Sequence, residues 1–368
     1  MKTPEHDLRE VARHFATDAE FVSAARCGTG HINDTYLATY RRGAREVHYI
    51  HQWINHHVFK QPVLVMENIA RVTAHQRWKL EEAGCPDPER RALTIVPALD
   101  GRPYCQDAGG EYWRTFDYIG GAHTCEAVES AAQATEVARA FGAFQSQLVD
   151  LPGARPHETI PAFHDTPSRF RALVAAVEAD AHNRAREARP EIASALAREP
   201  ITETLLALHR AGQMPERITH NDTKLNNVML SESGEGICVI DLDTVMPGLA
   251  LYDFGDMVRT ATSPALEDEQ DLSKVRMQMP MFEALVEGYL SSAGSFLTNT
   301  EREHLAFSGK LITLEIGIRF LTDFLCGDTY FRTSRAGHNL DRCRTQFALV
   351  ESIESQEEAM VAYVASRS

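Results

Sequence analysis

Ile218-Thr-His220-Asn-Asp222-Thr-Lys224-Leu-Asn-Asn227-Val-Met-Leu230, then Ile237-Cys-Val-Ile-Asp241-Leu-Asp243, then Tyr252-Asp253-Phe-Gly-Asp256: this stretch decides how the chain folds. Its apolar runs, Val228 to Leu230 and Ile237 to Ile240, flank the polar turn Ser231-Glu-Ser-Gly-Glu-Gly236. That is the pattern of a β-hairpin with a glycine-bearing loop. Asp222 and Asn227 precede the first strand and Asp241 follows the second, so the hairpin brings them to one open end. Between Ile218 and Asp256 a single Lys, Lys224, faces seven carboxylates. Carboxylates this dense at the ends of apolar strands need a cation. Acidic oxygens beside an Asn amide suit a hard ion such as Mg²⁺, which keeps phosphate oxygens and water among its ligands.

The spacing says more than the composition. His220-x-Asp222-x4-Asn227 matches a kinase catalytic loop, in which the Asp orients the acceptor hydroxyl and takes its proton while the Asn binds metal. Asp241 stands where kinases carry their metal-binding Asp, and Lys224 is placed to reach a phosphoryl group in transfer. Asp243 either holds a second ion or braces the first, and His220 and Asp253 read as braces of the loop. An acidic surface hairpin with solvated carboxylates is the plainer alternative. It does not account for His, Asp, Lys, Asn and Asp all falling where the chemistry requires them.

This stretch resembles the aminoglycoside phosphotransferase and choline kinase superfamily. Its strings His-Asn-Asp-Thr-Lys-Leu-Asn-Asn-Val, Val-Ile-Asp-Leu-Asp-Thr-Val-Met-Pro-Gly and Tyr-Asp-Phe-Gly-Asp look most like the N-acetylhexosamine 1-kinases. The resemblance implies a two-lobed, protein-kinase-like fold of the α+β class. A small antiparallel-sheet N-lobe would occupy residues 1–119 and a larger, mainly helical C-lobe residues 120–368. It further implies ATP as co-substrate, Mg²⁺ as cofactor, and phosphoryl transfer to the anomeric hydroxyl of GlcNAc or GalNAc. Asp222 and Lys224 would be catalytic and touch the sugar; Asn227, Asp241 and Asp243 would form the metal site.

At 368 residues the chain has room for two lobes, each with a core. Its 43% hydrophobic and 24% charged residues are those of a soluble globular protein. A net charge of −15 speaks against nucleic-acid or anionic-membrane partners. Any phosphate site must therefore be made by local Lys, Arg, backbone N–H groups and metal. Met-Lys-Thr-Pro-Glu-His-Asp lacks an apolar signal-peptide core, and no apolar run reaches transmembrane length. Seven Cys without a CxxC pair read as reduced thiols, so a cytoplasmic protein is expected; the resemblance implies ATP and a small sugar as its partners.

Leu8, Val11, Ala12 and Phe15 have helical spacing. Strands over Phe21 to Cys27, Tyr36 to Tyr40 and Val47 to Trp53 enclose Gly28-Thr29-Gly30-His31-Ile32-Asn33-Asp34-Thr35. Strand, glycine loop, strand is the shape that covers nucleotide phosphates, because glycines admit close approach and loop N–H groups bind anions. Alone, Gly-Thr-Gly equally marks a tight turn. The candidate nucleotide contacts are Gly28, Thr29, Gly30, His31, Asn33, Thr35, Gln52, Phe116, Tyr118 and Ile119. The third strand departs from kinases: His48-Tyr-Ile-His-Gln52-Trp-Ile-Asn55 has no phosphate-binding Lys, and Gln52 and Asn55 are neutral substitutes. A helix over Val63 to Glu82 carries Glu67, either the kinase helix Glu or a solvated or metal-facing one. Strands over Ala92 to Leu99 and Glu111 to Ile119 make a sheet of about five. Tyr118-Ile119-Gly120-Gly121 is the hinge whose backbone would pair with adenine.

Helical periodicity then dominates. Helices are expected before Asp150, from Thr166, before Gly212, and over Met277 to Leu290, Glu301 to Leu325 and Asp341 to Ala365, with Thr300-Glu-Arg-Glu303 as a capping box. Glu315 to Phe331 resembles the substrate-side segment of the N-acetylhexosamine kinases, by which Arg319 and Tyr330 would contact the sugar. Alternatively, Arg319 bridges Glu315 and Asp323 in a surface ladder, and Tyr330 is a core aromatic. Two rival functions stand beside the sugar kinase. One is a kinase of this fold for aminoglycosides, choline or amino alcohols; the other is a pseudokinase, suggested by the absent strand Lys.

Overall fold

A computed structural model describes residues 6–28 and 32–367; Thr29, Gly30 and His31 of the glycine loop lie outside the described residues. Leu8–Ala12 form α1, whose first N–H groups donate to the Asp7 carboxylate. Glu20–Arg26 (β1), Asp34–Arg42 (β2) and Arg45–Ile54 (β3) make an antiparallel meander, and Pro62–Glu82 form α2. The short helix α3 (Pro88–Arg91) leads to Ile95–Val96 (β4), Cys105–Gln106 (β5) and Tyr112–Asp117 (β6). The sheet runs β1-β2-β3-β6-β4, with β5 also paired to β6, so it has six strands rather than five. The expected strand over Ala92 to Leu99 shrinks to two residues. The chain is still leaving α3 at Ala92, and Leu99, 72% exposed, already belongs to the turn.

Alternation gives the sheet two apolar faces. Tyr40, Tyr49, Val96 and Trp113 close against α1 in a small core. Ile54 and Phe116 pack with Met66, Ile69 and Val72 of α2 in a core that continues unbroken into the second lobe. The two lobes thus share one apolar body through α2.

After Asp117 the chain passes through the segment expected as the hinge, where Gly121 takes a left-handed φ of 65°, and enters Ala122–His123 (β7). Then follow Ala131–Gln147 (α4), Thr166–Ala179 (α5), Arg189–Ala197 (α6), Thr204–Arg210 (α7), Arg217–Thr219 (β8), Val228–Ser231 (β9), Gly236–Val239 (β10) and Met246–Gly248 (β11). The expected hairpin is β9–β10, extended by β7, while β8 pairs with β11. The rest is helical: Ala250–Ala261 (α8), Met279–Ala293 (α9), Asn299–Glu303 (α10), Leu305–Leu325 (α11), His338–Glu354 (α12) and Glu357–Arg367 (α13). The fold is therefore α+β and kinase-like, an antiparallel-sheet lobe followed by a helical one. Among the described residues no helix is long and apolar enough to cross a membrane.

Two helix boundaries differ from expectation. The capping box is Thr298 with Glu301, not Thr300 with Glu303: the Glu301 N–H donates to Thr298 Oγ1 and the Thr298 N–H to Glu301 Oε2. Glu301 is fully buried because Arg217 also forks onto its carboxylate. The helix then breaks at His304, and the expected final helix is two, α12 and α13.

Helices α4 and α9 pack tightly because Gly288 has no side chain; a Cβ there would lie 2.1 Å from the Thr135 carbonyl oxygen. Gly288→Ala is expected to force the helices apart and destabilise the protein by about 1–3 kcal/mol or more, as overpacking does. Urea denaturation measures this, and an unchanged midpoint would contradict the contact.

Candidate active site

The catalytic stretch is held from below. Thr219 ends β8, Asn221 adopts a left-handed φ of 65°, and the chain turns Asp222 outward. Asn tolerates that backbone, and here its side-chain amide donates to the carbonyls of Thr219 (3.2 Å) and Thr244 (2.9 Å). Asp253, wholly buried on α8, accepts the N–H groups of His220 (2.9 Å) and Asn221 (2.7 Å) and the Gln145 amide (2.6 Å). Burial raises its carboxyl despite these donors. The buried His220 ring donates from Nε2 to the Ile240 carbonyl (2.9 Å), and its Nδ1 accepts the Asp222 N–H (3.3 Å). It thereby joins the loop to the strand that delivers Asp241. Asp253 and His220 are the braces that the sequence suggested.

Four expected residues meet at the open end of the hairpin. Lys224 Nζ lies 3.2 Å from Asp222 Oδ2. Asn227 Nδ2 donates to the Asp222 carbonyl (2.8 Å) and to Oδ2 (3.2 Å). That orientation leaves Asn227 Oδ1 without a hydrogen bond among the described residues. Burial is the largest influence and works to raise the Asp222 carboxyl, but Lys224, His220 and Arg259 together outweigh it and hold the group below its ordinary value. The same pairing, with Asp256 and Asp241 nearby, pushes Lys224 up and keeps it charged.

Asp241 is the counterpart. It has a left-handed φ of 60°, and its carboxylate makes no hydrogen bond or ion pair among the described residues. Crowded by surrounding protein although it reaches solvent, it is pushed up to about 6, first by burial and then by the charges of Asp243 and Asp222. A carboxylate crowded by like charges, beside an amide oxygen without a hydrogen bond among the described residues, is a donor set that a hard divalent ion completes. Among the described residues no three His, Cys, Asp or Glu could chelate an ion by themselves. Such an ion would take its remaining ligands from phosphate or water.

Asp243 does not join that set. It is 2% exposed, and Arg114, 1% exposed, forks across its carboxylate, with Nη1 on Oδ1 and Nη2 on Oδ2 (2.9 Å). Asn33 Nδ2 donates to the same Oδ2 (2.6 Å). Of the two alternatives for Asp243, these protein donors are the partners a brace would have. Arg114 Nε donates to Gln52 Oε1 (2.9 Å), and Gln52 Nε2 donates to Thr35 Oγ1 (2.9 Å). The side chains of Asn33, Thr35 and Gln52, expected on the nucleotide, are therefore tied to the protein. Gly28 adopts a positive φ of 78°. Phe116 and Ile119 pack in cores, the Tyr118 ring is exposed, and the Gly120 carbonyl accepts from Arg90 Nη2 (3.0 Å). Glu67 is not the kinase helix Glu: it pairs with His157 on the exposed side (2.8 Å). Its neighbour Asn68 turns inward instead and donates to the Val245 carbonyl (3.0 Å).

The ladder around Arg319 does not form, because α11 is a buried helix. Glu315 is wholly buried and accepts from His164 Nδ1 (2.8 Å) and Thr166 Oγ1. His164 Nε2 donates in turn to the Asn221 carbonyl (3.1 Å). With acceptors on both ring nitrogens His164 is an imidazolium; burial opposes that charge, but Glu315 outweighs it and raises the group. Asp323 accepts the N–H groups of Thr329, Tyr330 and Phe331. Arg319 is thereby left without a hydrogen bond or ion pair among the described residues. Its guanidinium lies 5.1 Å from the Phe163 ring, 5.6 Å from Phe331 and 5.9 Å from Tyr330. Tyr330 is 63% exposed, so it is not a core aromatic.

The sequence reading missed Arg114, His164 and the pair Asp256–Arg259, in which Arg259 Nε donates to Asp256 Oδ1 (2.7 Å) and bears electrostatically on Asp222. An Arg inside the strand run Tyr112-Trp-Arg-Thr-Phe116 was the available signal, since a buried Arg needs a partner. His164 and Arg259 gave no such sign.

A two-lobed fold with Asp222, Lys224, Asn227 and Asp241 at one hairpin end defines a phosphotransferase. Residues 23–285 match the phosphotransferase enzyme family (APH), and the chain belongs to it. Among solved structures it is similar to an aminoglycoside phosphotransferase from Alicyclobacillus acidocaldarius subsp. acidocaldarius DSM 446. That match has 12% identity and a TM-score of 0.56 and covers 100% of this chain and 97% of that one. It is similar also to a spectinomycin phosphotransferase in complex with ADP and spectinomycin, with 14% identity and a TM-score of 0.52, over 97% of this chain and 99% of that one. At these identities the likeness is one of fold.

Asp253→Ala would orphan the buried N–H groups of His220 and Asn221, and is expected to cost about 1.5–3 kcal/mol per lost bond to the carboxylate. Asp222→Asn is expected to leave the melting temperature within a few degrees while lowering kcat by about 10²–10⁴. Thermal melts beside rate measurements separate brace from base, and an Asp222→Asn variant turning over within a few-fold of wild type would remove Asp222 from the chemistry.

Proposed function

We propose that this phosphotransferase is an ATP- and Mg²⁺-dependent sugar 1-kinase that phosphorylates the anomeric hydroxyl of an N-acetylhexosamine, GlcNAc or GalNAc. The observation that supports phosphoryl transfer is the Asp222–Lys224–Asn227 cluster beside an uncompensated Asp241. ATP is supported by the ADP complex of the similar spectinomycin enzyme. Asn227 Oδ1 and Asp241 would hold Mg²⁺, which when bound offsets charge on the phosphates.

Asp222 orients the sugar hydroxyl and accepts its proton. With its carboxyl held below the ordinary range it is a weak base, so orientation contributes more than proton removal. A hemiacetal hydroxyl, more acidic than an ordinary alcohol, suits such a base. Lys224, already charged, meets the transferring phosphoryl group.

The acceptor reading rests on Arg319. Its guanidinium offers unused donors beside the exposed Tyr330 ring, a setting for sugar hydroxyls or an acetamido carbonyl and a hostile one for a second cation. This disfavours aminoglycosides, choline and amino alcohols. The intact Asp222, Asn227 and Asp241 disfavour a pseudokinase.

The direct test offers ATP with GlcNAc, GalNAc, glucose, choline, ethanolamine and an aminoglycoside, and locates the new phosphate by ³¹P NMR. A sugar 1-phosphate is expected; turnover of the amines alone would replace the sugar reading. Asp241→Ala is expected to abolish turnover at ordinary Mg²⁺, and full activity there would remove Asp241 from the metal site. Arg319→Ala should raise the sugar KM with the KM for ATP near wild type, a loss in kcat/KM of about ten- to a hundredfold, as for a hydrogen bond to a charged group. Arg319→Lys, which keeps the charge and loses the planar fork, should recover little. Unchanged sugar kinetics in both variants would return Arg319 to a packing role.

A further inference from the structure

We propose that Arg114, Asp243 and Asn33 form a clasp between the lobes that positions the metal–nucleotide site, with Arg114 as its positioning residue in place of the cation that the third strand lacks. The inference rests on the kinase reading above and adds residues to it. Three segments converge on one carboxylate. Arg114 comes from β6 of the sheet lobe, Asn33 from the end of the glycine loop, and Asp243 stands two residues beyond Asp241 in the helical lobe. The Asp243 carbonyl is fixed as well, accepting Thr159 Oγ1 (2.9 Å). Behind Arg114 the relay through Gln52 of β3 to Thr35 of β2 holds the guanidinium from two neighbouring strands, of which β2 follows the glycine loop. Asn33 Oδ1 accepts the Asn55 N–H (3.0 Å), so the loop's end is tied on both sides.

The energetics argue for position rather than stability. Arg114 and Asp243 are 1% and 2% exposed, and burying an ion pair this deeply gives back little against well-packed apolar residues. What such a pair supplies is a fixed geometry between the lobes at this point, beside the polar contact that Asn68 of α2 makes with the Val245 carbonyl. Its neighbour Asp241 needs that support, because a left-handed φ at a non-glycine residue persists only where the surroundings over-determine it. In the third strand, Gln52 is where a phosphate-binding Lys was sought, and it now serves as a hydrogen-bond partner of Arg114. The cation of this sheet has moved one strand over and turned from the nucleotide to the opposite lobe.

The alternative makes Asp243 a second metal ligand. The two accounts predict opposite signs. If Asp243 coordinates an ion, Arg114 competes with that ion, and loosening Arg114 should strengthen metal-dependent binding. If Asp243 is a clasp, loosening either partner should weaken it.

Calorimetric titration of the full-length protein with ADP, with Mg²⁺ and separately with EDTA, decides between them without recourse to turnover. Arg114→Lys keeps the charge and loses the fork; Asn33→Ala leaves the buried pair intact and removes only the loop's tie. Both are expected to weaken Mg·ADP binding by about ten- to a hundredfold, the usual effect of losing a partner that orients a metal ligand, with smaller changes in EDTA. The double variant should be no weaker than the worse single one, since both act through Asp243. Mg·ADP affinity equal to or tighter than wild type in Asn33→Ala would overturn the clasp, and that variant decides the matter even if Arg114→Lys folds poorly. Failure of the wild-type protein itself to bind Mg·ADP would instead remove the kinase reading, and the clasp with it.

Discussion

One buried carboxylate holds the catalytic loop in shape. Asp253 has no solvent to ionise into, and what it has instead are two consecutive backbone N–H groups and a side-chain amide. Accepting both N–H groups forces the turn at His220 and Asn221, and that turn points Asp222 away from the core. The His220 ring then carries the constraint across to Ile240, so base and metal-binding strand are positioned by the same interior. Every chemical role argued for the site presupposes this arrangement.

Around that brace, charge is distributed with little slack. The chain carries a net charge of −15, yet the site must receive phosphate groups. Each local cation has a defined place: Lys224 on Asp222, Arg259 on Asp256, Arg114 on Asp243. Asp241 has no ion-pair partner among the described residues, and burial with the charges of Asp243 and Asp222 raises its carboxyl. An unbalanced carboxylate is costly in the resting protein and useful once a divalent ion arrives. On the acceptor side the imbalance has the opposite sign, with Arg319 unpaired among the described residues because Glu315 and Asp323 are committed to His164 and to the backbone after α11.

The order of the chain, the hairpin with its five polar positions, and the family were legible in the sequence, because they depend on local pattern. Apolar alternation dictates strands, and the spacing of His220, Asp222, Asn227 and Asp241 survives any reading of the rest. Helix α2 and the strands β1 to β3 were legible for the same reason. The two-residue β4, the break at His304 and the shift of the capping box to Thr298 were not. For the capping box a distant partner bears on the boundary, since Arg217 is drawn onto Glu301; β4 is cut short by the end of α3 and the turn at Leu99.

Which carboxylates are free was the other thing hidden in the sequence. Asp241 and Asp243 stand two residues apart and look equivalent; only folding brings Arg114, 129 positions upstream of Asp243, onto one of them and leaves the other bare. Glu315 and Asp323 flank Arg319 at one-turn spacing and look like its partners, until burial of α11 gives them to His164 and to Asn339. Local spacing determines which groups lie near one another along an element. The competition for each group among distant donors is settled by tertiary packing, because desolvated charge goes to whichever partner can be buried with it.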